Sequence, residues 1–216
     1  MACSDAFQPE FISMKIHSAI FVKSAEALKD YPVSPLPEIA FAGKSNVGKS
    51  SLINALVRRK GLAKTSNSPG RTRLINFFTL NDSLSLVDLP GYGFAKVPAE
   101  MQKKWAPMVE IYLKSRPTLR LVLLLMDIRR DPAGDDLALL KWFEHYGLPC
   151  VIVLTKTDKL SRMQAGKRRQ AIVQALGGET GPIVLFSVRT AVGRDELWQL
   201  IEKYISPSDD AGGNNA

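Results

Sequence analysis

The chain has 216 residues, 45% of them hydrophobic, with 29 Lys and Arg against 21 Asp and Glu and a formal net charge of +8. That length and apolar content suit one globular domain, and only two cysteines, Cys3 and Cys150, far apart in sequence, exclude a disulfide-built scaffold. A pI near 9.5 favours a polyanionic partner, nucleic acid ahead of a membrane surface.

Residues 1–15 read as a flexible segment without the basic n-region and apolar h-region of a signal peptide, so a reduced cytoplasm is expected. No apolar stretch is long enough to span a bilayer. A short strand is expected near Ala19–Val22, then a short helix over Ala25–Leu28 capped by Ser24. Pro32, Pro35 and Pro37 extend the chain into the strand Ile39–Ala42, and a helix follows over Ser51–Val57. Leu74–Leu80 and Leu84–Val87 read as strands around an Asn81-Asp82-Ser83 turn. Residues 99–115 form a helix with Met101, Trp105, Met108 and Tyr112 on one stripe, kinked or split by Pro107.

The continuous apolar run Leu121–Met126 is a strand, Asp135–Tyr146 a helix closed by Gly147 and Pro149, and Val151–Leu154 a further strand. A basic helix over residues 161–176 ends at Gly177-Gly178, Ile183–Phe186 is the last strand and Arg194–Tyr204 the last helix. Residues 206–216 are polar, Gly-rich and expected to be disordered. Apolar strands alternating with helices predict an α/β three-layer fold, a mostly parallel sheet with helices on both faces. Ligands in such sheets sit beyond the carboxyl ends of the strands, where each chemical motif falls. Cys150 reads as a small buried hydrophobe, and His17 and His145 as surface residues.

The run Gly43-Lys44-Ser45-Asn46-Val47-Gly48-Lys49-Ser50 fits G-x-x-x-x-G-K-[ST] between a strand and a helix. Glycines let the backbone curl close to a ligand, and its amides with the helix N-terminus point N–H groups at phosphate oxygens. Lys49 adds a point charge for the β- and γ-phosphates, and Ser50 offers a hydroxyl to Mg²⁺. Asp88-Leu89-Pro90-Gly91 follows a strand: the aspartate can hold Mg²⁺ through water, and Gly91 frees an amide for the γ-phosphate. Thr155-Lys156-Thr157-Asp158 follows another. A carboxylate at Asp158 accepts from guanine N1–H and the 2-amino group, neither of which adenine offers, a discrimination of roughly 10⁴–10⁵. The stem of Lys156 can lie along the base.

Together these motifs resemble the translation-factor-related GTPases, and within them the EngB/YihA/YsxC group of bacterial ribosome-assembly GTPases. Pro69-Gly70-Arg71-Thr72 and Asp88-Leu89-Pro90-Gly91-Tyr92-Gly93 are its most specific strings, and the similarity runs from about residue 15 to 205. The resemblance implies a Ras-like P-loop NTPase fold, a single GTP-binding domain over 16–205, GTP or GDP and Mg²⁺ as ligands, association with the large ribosomal subunit and its rRNA, no membrane, and a link to cell division and septation. It maps nucleotide contacts onto residues 43–50, onto Gly70, Arg71, Thr72, Arg73 and Leu74, and onto residues 88–91. Residues 155–158 and Phe186, Ser187 and Val188 complete the nucleotide set, and Mg²⁺ falls to Ser50 and Thr72.

Where Ras-like enzymes place a water-orienting glutamine the chain has Tyr92, beside a mobile Gly91/Gly93 pair, so intrinsic hydrolysis is expected to be slow. Asn46 is the candidate ligand for a K⁺ beside the phosphates. Arg58-Arg59-Lys60, Lys64, Arg71 and Arg73 form one basic cluster, and Lys167-Arg168-Arg169 a second. Both are candidate rRNA contacts whose binding would weaken steeply with salt. A monomer is expected. Two other readings stand beside this one: a P-loop ATPase or kinase, which Asp158 argues against, and an RNA-binding protein that keeps its nucleotide site for stability.

Overall fold

The computed structural model describes residues 14–64, 74–92, 99–178 and 181–206, with the side chains of 99–106 outside that description. Seven strands form one sheet in the order β1-β3-β4-β2-β5-β6-β7. They are β1 (Ala19–Ala25), β2 (Glu38–Gly43), β3 (Ile75–Leu80), β4 (Leu84–Asp88), β5 (Leu119–Asp127), β6 (Cys150–Thr155) and β7 (Ile183–Leu185). The helices are α1 (Lys49–Leu56), α2 (Ala99–Ser115), α3 (Gly134–His145), α4 (Arg162–Ala175) and α5 (Arg194–Ile205). β4, β2, β5, β6 and β7 run parallel, and β3 is antiparallel to both β4 and β1. The three-layer, mostly parallel α/β fold expected from the sequence is thus the one observed.

The sheet is buried on both faces because its central strands carry apolar side chains in both directions. Leu121, Leu123 and Leu125 of β5 join Leu52, Leu56, Leu197, Trp198 and Ile201 on the α1/α5 face. Val122, Leu124 and Met126 join Val109, Tyr112, Phe143 and Ile172 on the α2/α3/α4 face. Side chains of this size each contribute about 1.5–3 kcal/mol on full burial. Arg194 and the Trp198 indole of α5 both donate to the Leu56 carbonyl, satisfying one of the carbonyls that the end of α1 leaves without a helical partner. β2 leaves for α1, after which the chain visits β3 and β4 on one side before crossing to β5 on the other. Its carboxyl end is therefore the point where strand order reverses, the place where ligands of such sheets sit.

Several expectations are corrected. The Ser24-capped helix is absent: Ser24 and Ala25 continue β1, the Ser24 hydroxyl donates to Asn76 on β3, and a 3₁₀ turn over Leu28–Asp30 follows. Pairing along the sheet edge outweighs a weak four-residue helix signal. Helix α2 runs unbroken through Pro107. Met14 and Lys15, expected to be flexible, are tied down: Met14 N–H donates to Glu202 and the Lys15 carbonyl accepts from the Asn81 amide. Cys150 is half-buried, and burial pushes its thiol up to about 12. His17 and His145 are exposed as expected. No helix among the described residues is long and apolar enough to cross a membrane. Residues 1–13 and 207–216 lie outside the described residues, as do the Met101 and Trp105 side chains.

Candidate functional site

The loop over residues 43–50 leaves β2 and enters α1 at Gly48, whose φ of 110° is open to glycine and strained for any other residue. Gly43 is required for a different reason: a Cβ there would stand 2.8 Å from the Leu125 carbonyl oxygen. No side chain caps α1, so the amides of its first turn face the loop's concavity. Lys49, in that turn, is 8% exposed with its Nζ 3.6 Å from Asp88 Oδ1. Ser50 Oγ donates to Asp88 Oδ2 at 3.4 Å. Leu89 is core and donates its N–H to the Phe41 carbonyl, which aligns β4 with β2 and delivers Asp88 to the loop.

Burial pushes the Asp88 carboxyl above the usual carboxylate range, against the opposing pull of the Lys49 charge and the Ser50 hydroxyl. Asp88 Oδ1 and Ser45 Oγ are buried without a hydrogen-bond partner among the described residues. A buried acceptor left so is destabilising by about 1–3 kcal/mol, and these two atoms lie side by side with the loop and Lys49, where a bound ligand could meet them. A hydroxyl, a carboxylate and phosphate oxygens are the hard donors that Mg²⁺ takes, so Ser50 and Asp88 fit that ion. Pro90 and Gly91 are buried beside them, and a Cβ on Gly91 would fall 2.8 Å from Ser45 Oγ. Gly91 is therefore packed against the loop, not part of a mobile pair; Gly93 lies outside the described residues.

The second half of the site comes from β6 and β7. Thr155 is buried, and its hydroxyl lies 2.8 Å from the Val47 carbonyl and 3.2 Å from that of Met126, one proton shared between two acceptors. It ties the 43–50 loop to the turn that carries Lys156 and Asp158, while the Val47 side chain is core. Lys156 takes φ 63°, and its Nζ reaches the Asn46 carbonyl at 2.8 Å and Asp127 Oδ2 at 3.1 Å. Asp127 is gripped from the other side by Arg129, at 2.9 and 2.7 Å. Burial raises the Asp127 carboxyl, but hydrogen bonds from Arg129 and Lys156 outweigh it and hold it well below the usual range.

Asp158 lies in a 3₁₀ turn with one oxygen accepting from the Ser187 hydroxyl at 3.0 Å. Thr157 N–H meets the Phe186 carbonyl at 3.4 Å, joining the two base-side segments. Phe186 is core with both backbone groups engaged, and Ser187 N–H goes to the Val192 carbonyl. The hydroxyl of Ser187 as a brace for Asp158 was not evident from the sequence, because a strand ending in Ser is ordinary.

Asp136 was missed altogether. It lies in the first turn of α3, 3% exposed, and its two oxygens accept from the Tyr92 hydroxyl at 2.6 Å and the Lys44 ammonium at 2.9 Å. Burial, then the neighbouring Asp136, pushes the Tyr92 phenol far above its usual value. An acid in a helix's first turn is commonplace, and its partners lie 92 and 44 residues away in sequence, so no local pattern announces it.

The basic residues divide. Arg58, Lys60 and Lys64 are exposed, whereas Arg59 also donates to the Ala19 and His17 carbonyls. In the second cluster Lys167 and Arg169 are exposed, but Arg168 bonds the Ile128 carbonyl and Asp131, so it braces α4 against the end of β5. Leu74 is half-buried ahead of β3; Thr65, Pro69, Gly70, Arg71, Thr72 and Arg73 lie outside the described residues.

Comparison with known proteins agrees with this geometry. The model of a family described as 50S ribosome-binding GTPase matches residues 38–156. The chain is 52% identical over 190 residues to a probable GTP-binding protein EngB of Syntrophus aciditrophicus, covering 88% of this chain and 96% of that one. It is 53% identical over 189 residues to the corresponding protein of Geobacter metallireducens, covering 88% and 93%. Two crystal structures share the fold. A probable GTP-binding protein engB has a TM-score of 0.66 at 21% identity, over 78% of this chain and 98% of that one. Era in complex with MgGDPNP and nucleotides 1506-1542 of 16S ribosomal RNA has a TM-score of 0.63 at 20% identity, over 84% and 60%.

Proposed function

Since the chain belongs to the EngB family of P-loop GTP-binding proteins, a family of GTP-hydrolysing enzymes, we propose that it is a slow GTPase switch in assembly of the large ribosomal subunit. It acts in the cytoplasm as a monomer, and its loss would impair cell division and septation. The observation that carries the reading is the convergence of Lys49, Ser50 and Asp88 with Lys156 and Asp158 at one end of the sheet, tied by the Thr155 bond to Val47. That arrangement holds phosphates at one end and reads a purine edge at the other.

The chain's own part in the reaction is mainly to bind and orient. Amides of the loop and of the α1 N-terminus take the phosphate oxygens, and Lys49 adds a charge at the β- and γ-positions. Ser50 and Thr72, with Asp88 through water, would hold Mg²⁺, which would supply positive charge to offset the charge that develops on the transferred phosphoryl group. Asp158, braced by Ser187, accepts from guanine N1–H and its 2-amino group. Gly91 presents its amide to the γ-phosphate. Tyr92 supports the slow intrinsic rate: its ring is buried, and its hydroxyl is committed to Asp136 at 2.6 Å.

Asn46 is the ligand we assign to a stimulating K⁺. Its backbone carbonyl is taken by Lys156, which leaves the side chain of this exposed residue to meet a cation. GTP turnover in K⁺ should exceed that in Na⁺ severalfold, and equal rates would remove the assignment. Exposed Arg58, Lys60 and Lys64 form one rRNA-facing patch, and Lys167 and Arg169 on α4, across the sheet, form a second. Pelleting with large subunits in GTP, GDP and nucleotide-free forms tests the whole reading. Binding should be strongest with GTP and fall steeply with salt. Binding that ignores both nucleotide and salt would sink it, and ATP held as tightly as GTP would favour a P-loop ATPase.

A further inference from the structure

Two side chains from distant parts of the chain meet at Asp136. Its Oδ1 accepts from the Tyr92 hydroxyl at 2.6 Å, and its Oδ2 accepts from Lys44 Nζ at 2.9 Å and from Ala133 N–H at 2.8 Å. The Ala133 contact is an ordinary helix cap, which an exposed acid would make equally well. It does not account for a carboxylate 3% exposed with a cation and a phenol drawn onto it. Burying an ion is destabilising unless its remaining lone pairs are met, and here every contact beyond the cap reaches into the phosphate site.

The backbone shows what the clasp holds. Ser45 N–H donates to the Tyr92 carbonyl at 3.0 Å, Tyr92 N–H meets the Gly43 carbonyl at 3.4 Å, and Lys44 and Tyr92 pair as a short parallel bridge. Between Asp88 and Tyr92 sits Gly91, close enough to Ser45 that a Cβ would reach 2.8 Å from its hydroxyl. Backbone bonds alone leave a two-residue bridge at the end of a strand free to fray. Asp136 closes it from the side, gripping Lys44 on the loop and Tyr92 on the neighbouring segment with one carboxylate.

We propose that Asp136 is a positioning residue for the third phosphate: acting through Tyr92 and Lys44, it fixes the Gly91 amide against the phosphate loop and so sets the preference between GTP and GDP. This rests on the reading above, in which the Gly91 amide meets the γ-phosphate. GDP has no γ-phosphate and does not feel where that amide stands. GTP loses a hydrogen bond to a charged oxygen when it drifts.

The test uses the full chain with two near-isosteric variants, Tyr92→Phe, which removes one hydroxyl, and Asp136→Asn, which keeps the cap. Titration with GDP and with a non-hydrolysable GTP analogue gives two affinities per protein, and thermal melts establish that each variant is folded. Both variants should bind the analogue roughly tenfold more weakly, the scale of one hydrogen bond to a charged group, with GDP affinity within about twofold. A merely structural role would move both nucleotides alike. Equal losses for GDP and the analogue, or no loss for either, would overturn the positioning role while leaving the GTPase reading intact. An unmodified protein that binds neither nucleotide would overturn the reading beneath it, and this inference with it.

Discussion

Two buried carboxylates on neighbouring strands are treated in opposite ways. Glu38 opens β2 at the end of the sheet away from the loop, and Asp88 closes β4 at the loop itself. Both are almost inaccessible, at 0% and 2% exposure. Glu38 is fully answered: the Tyr112 hydroxyl donates at 2.8 Å, Arg116 Nε lies 3.1 Å from both oxygens, and Arg116 Nη2 closes on Oε1. Asp88 has a cation at 3.6 Å, one long hydroxyl contact and an oxygen without a hydrogen bond among the described residues, and burial pushes its carboxyl up. One carboxylate is met by the protein's own groups, the other is left to be completed by something bound. A polar group left short of partners at a strand's carboxyl end reports function where a satisfied one reports folding.

The largest effect that sharpens this contrast is expected from Lys49→Ala. Losing two charge-assisted contacts, at about 1.5–3 kcal/mol each, should weaken both GTP and GDP by roughly 10²–10⁴ in a calorimetric titration, with a smaller loss of melting temperature than the next variant shows. Arg116→Met should do the reverse. It strands a buried charge, which is destabilising by about 3–5 kcal/mol, or roughly 6–20 °C in melting temperature for a chain of this size. Nucleotide affinity of the folded protein should not change. If Arg116→Met altered nucleotide affinity, or Lys49→Ala unfolded the chain, the division between the two ends would fail.

Most of the loop end was legible in sequence, because its chemistry needs fixed residue types at fixed short spacings. Gly43 to Ser50, Asp88 to Gly91 and Thr155 to Asp158 are each a strand followed by a few committed residues. What stayed hidden depends on partners far away in sequence. Asp136 is indistinguishable from any first-turn acid until Tyr92 and Lys44 are seen beside it. Arg168 looks like part of a solvated basic face until its bond to the Ile128 carbonyl appears. The antiparallel β1–β3–β4 edge was also veiled. Alternating helices and strands argue for a parallel sheet, and only the short Asn81-Asp82-Ser83 turn betrays the hairpin, while β1 joins by pairing at long range. Ser24 followed the sheet edge instead of its own capping propensity for the same reason.

A smaller change tests the base-reading corner. Asp158→Asn keeps one acceptor for guanine N1–H but turns a donor toward the 2-amino group, so GTP affinity should fall roughly 10²–10³. Xanthosine triphosphate, with an oxygen in place of that amino group, should bind the variant better than GTP does. A variant that still prefers guanine would remove Asp158 from the reading of the base.

The smallest expected effect concerns Asp127, which belongs to the loop end but is answered like Glu38. Arg129 and Lys156 hold its carboxyl below the usual range despite burial, whereas in the unfolded chain it titrates near ~3.9. A group whose folded pKa is depressed stabilises the fold above the unfolded value, and that contribution fades as pH falls toward the folded one. Asp127→Asn should therefore melt below the parent at pH 5–7, and the gap should narrow steadily as pH drops through about 4. Because Lys156 is anchored by Asp127 and by the Asn46 carbonyl together, the variant should also release nucleotide somewhat faster at neutral pH. A gap that stays constant down to pH 3 would mean that Asp127 is not held as an ion, and the corner would then owe its order to Thr155 and Ser187 alone.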